Sequence, residues 1–298
     1  MDKVYIVDTG IVGGVPYVRL GGTGNFSVFK TFDCGQCFRF DPVSDTADGA
    51  YSVSGVAFGR HVTFTEDGDG IVILGSDEND YESIWEKYLS LDTDYGEIDR
   101  IVTTALDEEG CKVMTRAAEA GRGIRILRQE PWEALCSFII SQNNNIPRIK
   151  KIISSISEKF GEKTADGRGF SFPTARALAD AGEEELFALK TGFRAKYIYD
   201  AARRVADGEI DLERVVRMEN YADAEASLMQ IKGVGPKVAA CALLFGFGKT
   251  EAYPIDTWMK KVTARHFSTA PDPKLFGKAA GIAQQYLFYM ERYINEGK

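Results

Sequence analysis

From Val4 to Leu74 the apolar residues fall in short runs broken by glycine, aspartate and proline. Val4–Val7, Tyr17–Leu20, Phe26–Phe29, Cys37–Phe40, Tyr51–Ser54, Arg60–Phe64 and Ile71–Leu74 are each four or five residues long. Runs of this length with turn residues between them favour an antiparallel sheet. At Tyr81 the period changes. Tyr81, Ile84, Trp85, Tyr88 and Leu89 follow helical spacing, as do Ile98, Ile101, Val102 and Ala105. Helical segments with short Gly or Pro connections then run to the end of the chain. The pattern predicts an α+β protein, with an antiparallel sheet and flanking helices over residues 1–120 and a helical unit over 121–298. The boundary is expected in Ala120-Gly121-Arg122-Gly123. No apolar run reaches the roughly 18 residues of a membrane-spanning helix.

The densest chemical signal lies in Leu228–Val262. Two helices are expected around the turn Gly233-Val234-Gly235, with Pro236 at the first helical position, where a missing N–H costs nothing. Glycine tolerates the positive φ of a tight turn. The N–H groups of Val234, Gly235 and Lys237 are expected to face outward at a helix N-terminus, which suits a phosphate. After Lys237, the residues Val238, Ala239, Cys241, Ala242, Leu244 and Phe245 build an apolar face. A lysine amine set against small apolar surface is a nucleophile when neutral. Asp256 follows 19 residues later, after Pro254, as the expected N-cap of a helix over Thr257–His266. Either residue alone reads as well as a solvated lysine or a plain cap. Together, the hairpin, the lysine and the Pro-x-Asp helix start (254–266) point to DNA-backbone binding coupled to amine chemistry.

Charge modifies this picture. The 298 residues carry 36 Lys plus Arg against 44 Asp plus Glu, a net charge of −8. Nucleic-acid binders are often basic, yet distribution matters more than the sum. Acidic residues crowd Glu66–Asp99 and Glu183–Glu185. The segments with binding potential are locally basic: Arg148, Lys150 and Lys151; Arg194 and Lys196; Lys232 and Lys237; Lys260, Lys261 and Arg265. An acidic back surface with modest, salt-sensitive non-specific affinity is expected. The five cysteines include Cys34-Gly35-Gln36-Cys37. That spacing admits a redox pair or half a zinc site, but a βαβ setting and a second close pair are both missing, and His61 and His266 stand alone. No metal and no organic cofactor is expected. Met1-Asp2-Lys3 does not open a signal peptide, so a cytoplasmic location is expected, at the nucleoid in a prokaryote.

Several segments, in order, carry a family resemblance. They are Phe32-Asp33-Cys34-Gly35-Gln36-Cys37-Phe38-Arg39-Phe40; Arg128-Gln129-Glu130-Pro131-Trp132-Glu133 leading to Ser141-Gln142-Asn143-Asn144-Asn145-Ile146; Gly192-Phe193-Arg194-Ala195-Lys196-Tyr197; the hairpin with Asp256; and Ala283-Gln284-Gln285-Tyr286-Leu287-Phe288. With these motifs the chain resembles the 8-oxoguanine DNA glycosylase/AP lyase family of the helix–hairpin–helix (HhH-GPD) superfamily. The resemblance spans residues 32 to 288. It implies a twisted antiparallel sheet domain followed by an all-helical HhH-GPD domain, with the hairpin at 228–245 and a cleft between the domains.

The resemblance also implies the site. Lys237 would attack C1′ of a flipped nucleotide, with Asp256 stabilising the charge that builds on the sugar. Gly35 would accept the lesion's N7–H through its carbonyl, Cys241 and Phe288 would sandwich the base, and Gln284 would bond its Watson–Crick edge. Asn143 would fill the vacated space. Arg148 and Arg194 would bond the unpaired cytosine, and Phe193 would be the wedge, in place of the usual tyrosine. Gly233, Val234 and Gly235 would hold backbone phosphate. The implied partner is double-stranded DNA containing 8-oxoguanine, and the implied form is a monomer without metal or cofactor. Trp258 departs from the pattern, standing where the family often has a phosphate-contacting histidine; Lys260 or Lys261 would have to replace that contact. The alternatives are an HhH glycosylase for other oxidised or alkylated bases, a non-catalytic HhH DNA-binding protein, and a Cys-x-x-Cys oxidoreductase.

Overall fold

The computed structural model describes residues 4–24, 26–43, 50–68 and 70–295; the Met1-Asp2-Lys3 opening lies outside them. Six strands form one sheet: β1 (Tyr5–Val12), β2 (Val15–Gly21), β3 (Phe40–Pro42), β4 (Ser52–Ala57), β5 (Arg60–Asp67) and β6 (Gly70–Leu74). Their order is β1-β2-β6-β5-β4-β3, and every pairing is antiparallel. Register lines up one apolar row across the sheet. Val53 pairs with Phe64, Phe64 with Ile73, and Ile73 with Val18, and all four are buried. A one-residue slip would turn this row to the other face, so burial fixes the register.

Two of the expected strands are different structures. Phe26–Phe29 runs into helix α1 (Val28–Asp33), because Ser27 caps it by accepting the Lys30 N–H at 3.3 Å. A local side-chain cap outweighs the β preference of Val and Phe. In Cys37–Phe40 only Phe40 joins a strand. The Gln36 side chain bonds the Arg125 carbonyl and the Leu127 N–H, each at 2.8 Å, and holds this segment as an irregular loop.

Helices follow the sheet. The first cover α2 (Glu78–Asp80), one π turn over Tyr81–Trp85, and α3 (Glu86–Tyr88). Next come α4 (Tyr95–Thr104), α5 (Glu108–Gly121), α6 (Pro131–Ser141) and α7 (Ile146–Phe160). Then come α8 (Ala175–Leu186), α9 (Ala195–Ala206), α10 (Leu212–Arg217), α11 (Tyr221–Leu228), α12 (Pro236–Gly246), α13 (Thr257–His266) and α14 (Ala280–Tyr289).

Two cores result. Trp85, Tyr88 and Leu127 pack on the sheet. Tyr95, Val102, Val113 and Met114, from α4 and α5, belong to the helical core. The cores therefore interlock around the Ala120–Gly123 segment. The Gly35 loop lies on the seam: Phe32, Cys37 and Phe40 enter the sheet core, while Cys34 and Phe38 enter the helical core. Burial on both sides fixes Gly35 between the two units. At the centre of the helical unit α6 and α12 cross closely. A Cβ at Gly246 would lie 2.5 Å from Ala134 Cβ, and the Gln129 N–H donates to the Phe245 carbonyl at 2.9 Å. The end of α12 thus meets the start of α6, so the helices run antiparallel and the Lys237 end of α12 lies toward the Asn143 end of α6.

Candidate active site

The hairpin turn is built by one glycine, not two. Gly233 has φ +81, and a Cβ there would lie 2.4 Å from the Tyr197 ring. Gly235 has φ −99 and is the N-cap of α12; a Cβ there meets nothing within 4 Å. The Val234 N–H donates to the Ile231 carbonyl at 3.0 Å, and its side chain is buried. The expectation that the Val234 N–H faces outward is therefore corrected: it closes the turn. The donors left for a phosphate are those of Gly235 and the first turn of α12, which have no intrahelical partner. Asp200 anchors the turn from below, accepting the Lys232 N–H at 2.8 Å.

Lys237 is exposed at the start of α12, and Cys241 lies one turn further on, 5% exposed. Burial pushes the Cys241 thiol up to about 11. The Lys237 charge and its hydrogen bond to the thiol pull against this, and Asp256 adds to the rise. Lysine, thiol and carboxylate thus share one electrostatic neighbourhood. Asp256 is the N-cap of α13, as expected, and its Oδ1 accepts the Met259 N–H at 2.9 Å. That bond leaves its other oxygen for the site.

The wall comes from α14. Gln284 is 3% exposed and accepts from the Gln285 side chain at 2.8 Å. Phe288 is buried, edge-on to Trp258 with ring centroids 6.4 Å apart. The Arg292 guanidinium lies 5.7 Å from the Phe288 ring centre and 4.9 Å from that of Tyr293. Its Nη1 would be 3.8 Å from a Cβ at Gly35, where φ is +77. The fold thus links Gly35 to the Phe288 helix, which bears Gln284, through Arg292. The motifs did not single out Arg292; its i,i+4 spacing from Phe288 was the available signal.

Compared with solved structures, the chain is 37% identical to the 8-oxoguanine glycosylase/lyase of Clostridium acetobutylicum bound to double-stranded DNA with cytosine opposite 8-oxoG. The match has a TM-score of 0.85 and covers 99% of this chain and 100% of that one. The chain belongs to the 8-oxoguanine DNA glycosylase family. Residues 22–135 match the family model of the 8-oxoguanine DNA glycosylase N-terminal domain, and 136–280 match that of the HhH-GPD superfamily base excision DNA repair proteins. An N-glycosylase/DNA lyase of Saccharomyces cerevisiae is 39% identical over 159 residues, which cover 49% of this chain and 42% of the yeast protein. One of Arabidopsis thaliana is 36% identical over 194 residues, covering 57% of this chain and 52% of the plant protein. The matched region thus spans about half the length of these curated relatives.

The loop between α6 and α7 divides its asparagines by task. Asn144 donates to the Ile140 carbonyl at 3.1 Å, and Asn145 caps α7 by accepting the Arg148 N–H at 3.0 Å. Asn143 is exposed with φ +48, and among the described residues its side chain makes no hydrogen bond. Asparagine tolerates this left-handed conformation better than most residues. Phe193 is 45% exposed and rests on Tyr197, ring centroids 5.9 Å apart. Arg148 is exposed and donates to the Lys190 carbonyl at 3.3 Å.

Arg194 differs from the expected presented guanidinium. It is 2% exposed; its Nε donates to the Gln142 carbonyl and its Nη2 to the Asn143 carbonyl, each at 2.8 Å. It clamps the loop that carries Asn143 and stacks on Phe193 at 4.5 Å. Burial pulls its pKa down, and the nearby charge of Arg148 does the same.

The Cys34 and Cys37 thiols are buried, and burial pushes Cys34 up to about 12. Among the described residues no group of three or more His, Cys, Asp or Glu is arranged to hold a metal.

Proposed function

We propose that this chain is a bifunctional 8-oxoguanine DNA glycosylase/AP lyase acting on duplex DNA in base excision repair. The observation that carries the reading is Lys237 at the hairpin helix start, beside the Cys241 thiol that the Asp256 charge also reaches. A base inside a duplex must be flipped out to be reached. Lys237 Nζ then bonds to C1′ as the C1′–N9 bond breaks and its electron pair leaves with the base. Asp256 stabilises the positive charge that builds on the sugar. The sugar opens to an imine, a C2′ proton is lost, and the C3′–O bond breaks, releasing the 3′-phosphate and nicking the strand. The lysine thereby forms a covalent intermediate, where a water-using glycosylase would leave the strand intact.

Specificity is assigned to the seam. Gly35 would accept the N7–H that distinguishes 8-oxoguanine from guanine; it has no side chain of its own to hold the base edge away, and Arg292 Nη1 is the nearest group on the side where a Cβ would stand. Phe288 and Cys241 would flank the ring and Gln284 would bond its polar edge. Asn143 would fill the gap and Phe193 would wedge the stack. We infer a preference for cytosine opposite the lesion, read chiefly by Arg148, with Arg194 ordering the loop beside it.

The test is borohydride trapping on a duplex with one 8-oxoguanine opposite cytosine, comparing wild type with Lys237→Gln. A covalent adduct in wild type alone is expected. No adduct and no nick in either protein would overturn the lyase reading. Equal single-turnover rates opposite all four bases would overturn the cytosine preference while leaving the reaction intact.

A further inference from the structure

Between the loop after β2, the start of α4 and the 122–125 connection lies a cavity of about 260 Å³, lined by Gly22, Gly24, Asp99, Arg122, Arg125 and Tyr286, among others. Arg125 is 8% exposed. Its guanidinium lies 4.0 Å from the centre of the Tyr95 ring, which covers one face. A guanidinium has five N–H donors. Among the described residues the guanidinium makes one hydrogen bond, from Nη1 to the neighbouring Ile124 carbonyl at 3.4 Å, at the weak end of the range. Among the described residues no carboxylate lies within ion-pair distance of it. The Phe26 ring lies 5.9 Å from it as well, and the nitrogens left without a hydrogen bond are not sealed from solvent. The carboxylates that share the cavity are committed elsewhere. Asp99 Oδ1 accepts the Tyr286 hydroxyl at 2.8 Å and its Oδ2 is 3.9 Å from Arg122 Nε. Asp94 Oδ1 accepts the Glu97 N–H at 3.1 Å. Burial pulls the Arg125 pKa down, with Tyr95, Tyr286 and Asp99 opposing.

We propose that this cavity is a binding site for a small phosphate-type oxyanion, gripped by the fork of Arg125 with Arg122 at the mouth. A planar fork pairs two donors with two oxygens of such an anion. The half-exposed Arg122 stands at the entrance, where an anion would share it with Asp99, and a Cβ at Gly24 would meet nothing within 4 Å, which leaves space on the loop side. The site lies outside the catalytic constellation and does not depend on the proposed reaction. It is nevertheless joined to the base-binding seam. The Arg125 carbonyl accepts the side chain of Gln36, next to Gly35, at 2.8 Å. Tyr286 stands two residues from both Gln284 and Phe288, on the other face of α14. An anion here would tie the Gly35 loop to that helix from behind.

Thermal unfolding in inorganic phosphate tests this, with sodium chloride at matched ionic strength as reference. Wild type should show a saturable rise in Tm above the chloride curve, roughly 5 °C at about one hundred times Kd. Arg125→Lys keeps the charge but loses the fork, and should lose most of the shift. Arg122→Glu changes a half-exposed side chain, should fold normally, and should weaken apparent affinity several-fold. Calorimetric titration of wild type and Arg122→Glu with phosphate gives the same comparison if Arg125→Lys fails to fold. A wild-type Tm that follows the chloride curve overturns the proposal. So does an equal phosphate response in Arg122→Glu, which would place the anion elsewhere, such as the hairpin.

Discussion

The two hairpin glycines separate folding from DNA binding, and substituting each with alanine tests that division. At Gly233 an alanine must adopt φ +81, which costs an L-residue about 1–2 kcal/mol. Its Cβ would also lie 2.4–2.6 Å from three atoms of the Tyr197 ring. Tyr197 is wedged against Phe193, so the ring has to move or the turn has to open, an overpacking cost of about 1–3 kcal/mol. The stiffer unfolded chain returns roughly 0.5 kcal/mol. The sum is about 2–4 kcal/mol, or a Tm lower by about 3–6 °C. At Gly235 the backbone is already in a conformation open to alanine, and nothing lies within 4 Å of the new Cβ. The stability cost there is that of a poorer N-cap, about 0.5–1 kcal/mol. Its methyl, however, occupies the face where a phosphate would approach. Gly235→Ala should therefore weaken binding to undamaged duplex several-fold at low salt with a nearly native urea midpoint. Urea denaturation and fluorescence anisotropy on both variants decide the matter. If Gly233→Ala unfolds at the wild-type midpoint, or Gly235→Ala binds duplex as wild type does, the reasoning about this turn fails.

The helix start at Asp256 offers a second separation. Asp256→Asn keeps an acceptor for the Met259 N–H and should change stability by less than about 0.5 kcal/mol, whereas Asp256→Ala should cost about 1 kcal/mol; both should slow adduct formation in a trapping time course, and a wild-type rate in the Asn variant would show that the carboxylate charge is unused. Burial pushes the Glu133 carboxyl up to about 7, with Arg39, 3.3 Å away, opposing. A raised carboxyl binds more protons folded than unfolded, so its contribution is full below 4.5 and is lost as pH rises through 7. Wild type should thus lose up to about 3 kcal/mol relative to Glu133→Gln between these limits, and parallel urea midpoints for the two proteins across that pH window would contradict it. Gly246→Ala should cost about 1–3 kcal/mol, because its methyl would meet Ala134 at the α6–α12 crossing; an unchanged urea midpoint would mean that the crossing relaxes freely.

Local signals were legible wherever the physics is local. The hairpin, Pro236 at the start of α12 and Asp256 as the cap of α13 are written in consecutive residues, and the change of period at Tyr81 falls within a few residues of where the sheet gives way to consecutive helices. The short apolar run Phe26–Phe29 predicts a strand, and the Ser27 cap makes it the start of a helix instead. Asn143-Asn144-Asn145 named a loop but not its division of labour, since that depends on which carbonyls and N–H groups the two helix ends leave unpaired.

Sequence alone determined the order of sheet and helices, the family, and the identity of the residues proposed for chemistry, because these depend on period, spacing and residue type. Tertiary structure decided which groups are occupied. It buried Arg194 against the carbonyls of Gln142 and Asn143, placed Gly233 against a ring 36 positions away in the chain, and left Arg125, among the described residues, with no carboxylate at ion-pair distance. It also set Gly35 on the seam of two cores and brought Arg292 to it. The reason is physical: burial and hydrogen-bond satisfaction depend on neighbours distant in the chain, and no local pattern encodes them.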